Sequence, residues 1–510
     1  MNELSRVAVA AESVQEAAPD EPGAEASSLG RRAGRGLRWA LGGNLVLKVG
    51  SFALSLAMVR LIAPEEFGLY AVALAANAFL IHVNDMGMIA ATVQWRGSVA
   101  EMAPTARTLA VAFSVGWYGL FWFGAPLLAD AAGSPDAVPL VRLLTLTIVL
   151  DGVTAVSVGV LQRRFEQDRL MKAIAAGFVC CAAVSLTLAI AGAGPYSFVV
   201  GLLVQSVVVA VFVLRSARLP FRLGFAPAVA KRLLVFGIPL AAGLGIESIV
   251  VFSDSVIVGH VLGTVVLGFY LLAFNVSSWV PGIIGSAVRY VSIPAFSRLA
   301  EGETEAFSLG VRRALPLLVA FVVPVVAVLV TLSPALVDVL YGSHWSPAAA
   351  ALRFLAFVML ARMFTALVFD IQTGLGNTWV PIGLNLTWLV ALLPALWIGA
   401  HAGGIQGAAM GHAAVAVVVV IPLAGWVLHR SGVELRPVLR GVVRPVLAAV
   451  AAGVTMAAVA HPISAPFVKL VAAGGLGMVV YLLLVLPSHG RVDAWRWARA
   501  HAPAPRRARP

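Results

Sequence analysis

Seven basic side chains sit inside the long apolar runs of this chain: Lys48, Arg60, Arg142, Arg289, Arg353, Arg362 and Lys469. Five carboxylates share that setting: Asp85, Asp151, Glu247, Asp254 and Asp370. A charge at mid-bilayer costs about 2.5–3.5 kcal/mol on insertion scales, so such a residue is expected to face a cavity or a partner. A cation held this way could bind an anion, and a buried carboxylate could hold a proton or a sodium ion. Lys48 lies near the middle of the first run; the alternative is a lysine paired with a carboxylate purely for packing. Arg289 lies in the inner half of the eighth, from which it could also snorkel to the interface. Arg60 closes the first run, where the bland role is an interfacial anchor or a cap on a helix C-terminus. Asp254 and Glu247 are seven residues apart in one run and so share roughly one helix face. They could form an ion site, or partner Lys48 or Arg289. Asp85 follows Asn84 and precedes a glycine, where it could bond local backbone.

The elements that hold these residues must be transmembrane helices. The 510 residues are 60% hydrophobic and 12% charged, with a mean hydropathy of +0.94. Soluble domains carry about 25% charge. The apolar runs are about 20 residues or longer rather than alternating 10-mers, so helices and not a barrel satisfy the backbone. The pattern predicts an all-α integral membrane protein with about 14 transmembrane helices. Cys180 and Cys181 are adjacent in an apolar run and read as small packing residues.

Two stretches repeat. FALSLAMVRLIAPEEFGLYAVA (52–73) and FSDSVIVGHVLGTVVLGFYLLA (252–273) share Phe52/Phe252, Ser55/Ser255, Gly68/Gly268, Tyr70/Tyr270 and Ala73/Ala273 in register. VRLLTL (141–146) resembles LRFLAF (352–357), which sets Arg142 opposite Arg353 and, further on, Asp151 opposite Arg362. Six spans separate equivalents, so the halves are parallel repeats. The expected domains are a disordered tail (1–35), an N-terminal six-helix bundle (36–215) and a basic linker (216–232). A C-terminal six-helix bundle (233–428), two appended helices (429–487) and a basic tail (488–510) follow.

Orientation follows from Lys and Arg. Loops near 63–66, 130–137, 260–266, 336–348, 401–403 and 461–465 contain neither, whereas the alternate segments hold Arg96, Arg107, Arg163, Arg164, Arg215, Arg218 and Arg222 among others. Both termini are expected on the cytoplasmic side. The net charge of +12 is therefore topological, and no nucleic-acid partner is expected.

Four motifs carry a family resemblance: VRLIAPEEFGLY (59–70) with NDMGMIAATVQ (84–94), SDSVIVGHVLGTVVLGFYLLAFNVSSWVP (253–281), VRYVSIPAFSRL (288–299) and LVDVLYGSHWSPAAAALRFLA (336–356). In this order and spacing the chain, over roughly residues 36–430, resembles the polysaccharide-transport branch of the multidrug/oligosaccharidyl-lipid/polysaccharide flippase superfamily. The resemblance implies two six-helix bundles around a central cavity lined by helices 1, 2, 7 and 8. It also implies a bacterial cytoplasmic-membrane protein that moves a polyprenyl-phosphate- or pyrophosphate-linked oligosaccharide outward by alternating access. Lys48, Arg289 and Arg60 would then meet the phosphate. Asp254, Glu247, Asp85, Asp151 and Arg362 would couple an ion or form salt bridges. Membrane lipids, and a polysaccharide polymerase or glycosyltransferase, would be the partners.

Two other readings compete. A cation or drug antiporter of the same superfamily should carry excess carboxylate in its cavity, whereas spans 1 and 8 carry cations. A polymerase or ligase needs a sizeable outer loop, and the longest here is 336–348. No nucleotide, metal, nucleophile or cofactor motif is present, so no enzymatic chemistry is expected. The aromatic group Trp117, Tyr118, Phe121, Trp122 and Phe123 approaches the outer interface and reads as an interfacial belt.

Overall fold

The computed structural model describes residues 42–43, 46–84, 87–95, 97–164, 166–279, 304–375, 377 and 379–486. Asp85, Arg289 and both expected tails lie outside the described residues. Every regular element among the described residues is helical. In chain order they are α1 (46–61), α2 (Pro64–Val83), α3 (Met88–Gln94), α4 (Val99–Ala131), α5 (Val138–Thr145), α6 (Thr147–Arg163), α7 (Gln167–Ile190) and α8 (Tyr196–Ala217). Then come α9 (Pro227–Leu262), α10 (Thr264–Trp279), α11 (Thr304–Tyr341), α12 (Ala348–Gly374), α13 (Trp379–Val415), α14 (Ile421–Arg430), α15 (Leu435–Ala460) and α16 (Pro466–Val485).

Ten helical stretches among the described residues are long and apolar enough to cross a membrane. That measure does not itself give the expected fourteen: α1, α2 and α10 fall outside it, and Trp379–Arg430 counts once. The last run is nevertheless broken, because Gly403 and Gly404 leave helical geometry and Gly404 takes φ +57°. Glycine has no Cβ to oppose that turn.

The breaks follow local chemistry. α2 starts with Pro64, and the Glu66 carboxylate accepts the Ala63 N–H at 3.1 Å, satisfying one of the open donors of the helix end. α2 gives way to α3 around Gly87, at φ 71°. There Asn84 Nδ2 donates to the Ile148 carbonyl at 2.8 Å, tying that break to the start of α6.

α7 packs on α8, and α4 on α6; in the second half α9 packs on α13, and α12 on both α11 and α13. The two sets meet chiefly where α9 lies against α2. The added helices α15 and α16 pack on each other and on α11, where the Tyr481 hydroxyl donates to the Ala320 carbonyl at 2.5 Å. Their outer faces, such as Leu447 and Val454, are exposed apolar surface that hydrocarbon would cover.

We call the end carrying the 62–63 turn the bare end, because its loops lack Lys and Arg, and the opposite one the basic end. At the basic end the linker is strapped to α4. Arg107 is buried, donates through Nη1 to the Pro220 carbonyl at 2.8 Å and lies 4.6 Å from the Phe221 ring centre. Thr108 donates to the Gly224 carbonyl at 2.9 Å, and the Ala226 N–H donates to Thr105 at 3.1 Å.

Candidate functional site

Between the first half and α10 lies a cavity of about 800 Å³. Its walls come from α1 (Lys48, Phe52), α2 (Phe67, Tyr70), α7, α8 (Gln205) and α10 (Asn275, Trp279). Lys48 is the one charged residue among the described residues of this lining. Its ammonium has no hydrogen-bond or ion-pair partner among the described residues, so the packing pair considered from sequence is not formed with any described carboxylate. Tyr70 stacks on Phe198 with ring centres 4.4 Å apart, and Trp279 meets Phe52 edge-on at 3.9 Å. Apolar walls with amide and hydroxyl groups around one ammonium suit an amphiphile with an anionic centre.

The lining differs from that implied by the resemblance. Spans 5 and 6 (α7, α8) contribute, and span 7 (α9) contributes no described residue.

The bare end is closed. A Cβ on Gly68 would lie 2.0 Å from the Thr264 carbonyl oxygen, and one on Gly268 2.0 Å from that of Pro64. The two helix starts therefore approach as only glycine permits. Trp345 sits between Phe67 and Phe269, at 5.7 and 5.8 Å between ring centres, and donates Nε1 to the Val59 carbonyl at 3.1 Å. Arg60 crosses the same seam: its guanidinium donates to the Leu340 carbonyl at 3.1 Å, at the C-terminus of α11. The structure thus places Arg60 at the closure between halves and not in the cavity lining. A cation on terminal carbonyls also meets the negative end of the helix dipole.

The acids of span 7 lie elsewhere. Asp254 is 2% exposed, and its Oδ2 accepts the Tyr270 hydroxyl at 2.6 Å and faces His412 Nδ1 at 2.9 Å. The neighbouring Asp254 Oδ1, His412 Nε2 and Trp388 Nε1 are buried without a hydrogen-bond partner. Arg362, 5.8 Å from the Phe274 ring, interacts electrostatically with Glu247 and Asp254, within its own half. Asp151 is exposed on α6 and Asp370 is buried on α12; both are engaged. Of the sequence candidates, then, Glu247, Asp254 and Arg362 come together, Lys48 lies in the cavity, and Arg60 lies at the closure.

His412 does not stand out in the sequence, because the intramembrane pattern of Lys, Arg, Asp and Glu does not include it. A histidine inside span 12 is the same kind of signal. Arg142 and Arg353 behave as equivalents. Arg142 donates to the Trp122 carbonyl and Arg353 to the Ser333 hydroxyl, each reaching the preceding helix, which fits a shared architectural role. Trp122 also lies under the Arg142 guanidinium, and Phe123 is 83% exposed, as in an interfacial belt.

A family profile described as polysaccharide biosynthesis protein matches residues 57–350, more than half of the chain. The chain belongs to that family. Two characterised proteins are similar to it along most of their length. The succinoglycan biosynthesis transport protein ExoT of Rhizobium meliloti (strain 1021) is 27% identical over 465 residues, covering 88% of this chain and 92% of ExoT. The lipopolysaccharide biosynthesis protein WzxC of Escherichia coli (strain K12) is 23% identical over 392 residues, covering 75% and 78%. The fold is that of the lipid II flippase MurJ in its inward closed conformation, at a TM-score of 0.70 and 14% identity, covering 89% of this chain and 99% of MurJ. An inward-facing multidrug transporter of the MATE family and MOP superfamily aligns at a TM-score of 0.59 and 17% identity, covering 76% and 98%. The family and fold expected from the motifs therefore hold, and the protein is a multi-pass membrane protein.

Proposed function

We propose that this protein moves a lipid-linked oligosaccharide, joined through a phosphate or pyrophosphate, from the cytoplasmic to the outer leaflet for surface polysaccharide synthesis. It acts as a transporter rather than an enzyme, in the bacterial cytoplasmic membrane with the basic end inside. One observation carries this reading: among the described residues, the cavity of about 800 Å³ has a single charged wall residue, the cation Lys48, with no partner among them. A cationic drug would call for a carboxylate there, and none lines the cavity among the described residues. The phosphate would sit against Lys48, the sugars against Gln205, Asn275 and Tyr70, and the polyprenyl tail in lipid. The relatives named for succinoglycan and lipopolysaccharide biosynthesis support the substrate class.

The two halves would rock about the seam at Gly68 and Gly268, exchanging a closed bare end for an open one. Asp254, with His412 and Tyr270, is the proposed proton acceptor that biases the exchange. Its hydrogen bonds join α9, α10 and α13, so a change in its charge alters three helices at once.

The test is genetic and chemical. Deleting the gene should leave a lipid-linked oligosaccharide on the cytoplasmic leaflet, and Lys48→Ala should reproduce that accumulation at normal protein levels. Unchanged lipid intermediates in the deletion would refute the reading, and full activity of Lys48→Ala would remove Lys48 from the site.

A further inference from the structure

At the basic end of the first half, α7 and α8 enclose a pocket of about 400 Å³ that shares no lining residue with the Lys48 cavity. Arg169, Phe212, Arg215, Ser216 and Arg218 line it, and no acidic side chain does among the described residues. Arg169 is fixed at the rim, donating through Nη1 to Glu166 Oε2 at 3.0 Å and to the Ser216 carbonyl at 3.2 Å. Arg164 donates to the Ala217 carbonyl at 3.0 Å. These two arginines already satisfy carbonyls in the last turn of α8. Arg215 and Arg218 are exposed and have no polar partner among the described residues.

The backbone also departs from the ordinary here. Arg218 has φ 48°, the one non-glycine residue in the left-handed region among those described. L side chains rarely adopt that conformation. It ends α8 abruptly and brings the Arg218 side chain into the same pocket as Arg215. Toward the membrane, the same helix exposes Val207, Val211 and Phe212, each 40–46% accessible. Three cations thus stand where an apolar, lipid-facing surface passes into polar loops.

We propose that this pocket binds the phosphate headgroup of an anionic phospholipid, whose acyl chains lie along Val207, Val211 and Phe212. Basic pockets between helices at such an interface suit anionic headgroups, each nearby cation adding roughly fivefold in affinity. Glu166 offsets part of the Arg169 charge, so Arg215 and Arg218 carry the recognition.

The test uses the purified full-length protein, titrated with phosphatidylglycerol or phosphatidylcholine and read by native mass spectrometry. Phosphatidylglycerol should bind in preference. The double variant Arg215→Gln/Arg218→Asn should lose about 25-fold in that affinity, asparagine being tolerant of the left-handed backbone. The control pair Arg436→Gln/Arg440→Gln, also exposed near the basic end, should lose less than about twofold. Equal binding of both lipids, or equal losses in the two double variants, would overturn the proposal. Displacement of the lipid by millimolar inorganic phosphate would reassign the pocket to free phosphate. The readout is lipid binding without translocation, so it stands or falls apart from the transported substrate.

Discussion

Gly68 and Gly268, equivalent in the internal repeat, lie against each other where the two halves meet. A Cβ on either would come within 3.2 Å of the other's backbone nitrogen and within 2.0 Å of a carbonyl oxygen of the facing helix. The identical residue of each copy is therefore the contact that seals the bare end.

Gly68→Ala should force this seam apart, because backbone on both sides cannot yield as a side chain can. Spin labels at Glu65 and Val265 should report a longer distance than in the parent protein, and transport should fall about tenfold or more for a cost near 1.4 kcal/mol in the closed state. An unchanged distance distribution would show that the seam accommodates a methyl group and that the glycines are not its determinant.

Arg60→Ala should weaken the same closure without touching the cavity. The guanidinium holds carbonyls of α11, so the expected result is a partial loss of transport with substrate affinity unchanged. A loss of substrate binding comparable to that of Lys48→Ala would return Arg60 to the phosphate site.

Tyr270→Phe and Tyr70→Phe should differ. Tyr270 donates to a buried carboxylate, and removing such a bond costs about 1.5–3 kcal/mol. The melting temperature should drop by several degrees, whereas Tyr70→Phe, which keeps the stacking on Phe198, should leave it nearly unchanged. Equal melting temperatures for the two variants would argue against the buried network.

His412→Asn removes the titratable ring that faces Asp254. Transport by the variant should fall several-fold, because the Asp254 carboxylate loses one of its two hydrogen-bond partners. Glu247, Arg362 and Tyr270 also face this network, so Asp254→Asn is the paired measurement. Full transport by both variants would place the coupling elsewhere.

Arg107→Gln should free the linker. Its buried side chain satisfies the Pro220 carbonyl and stacks on Phe221. Protease cleavage between 218 and 226 should quicken several-fold, and a cleavage rate equal to that of the parent would show that Thr105 and Thr108 hold the segment alone.

Much of the fold could be read from the chain because apolar length and a repeat register are one-dimensional signals. Gly68 and Gly268 stood in register in the sequence, but their mutual contact needed the angle between α2 and α10. The site was less readable for the same reason. Lys48 stands out as a charge in an apolar run and is in the cavity, yet Arg60 stands out equally and is at the seam. Whether a side chain at a helix end turns toward the cavity or toward a neighbour's carbonyls depends on packing across the halves. The partnership of Asp254 with His412 spans 158 residues and two helices that no periodicity links.

The position occupied by Asp254 is Leu54 in the other copy. Before the two copies shared one polypeptide, the half-length protein would have had to pair with itself about a twofold axis, and Gly68 would have touched its own counterpart. In such a homodimer every substitution appears twice. An aspartate at this position would have placed one buried carboxylate in each subunit, both needing partners. Fusion removed that constraint. One copy could keep its leucine in the cavity wall while the other placed an acid and a histidine beside the tyrosine that both copies carry, so covalent linkage of the halves made a charged lobe compatible with an apolar one.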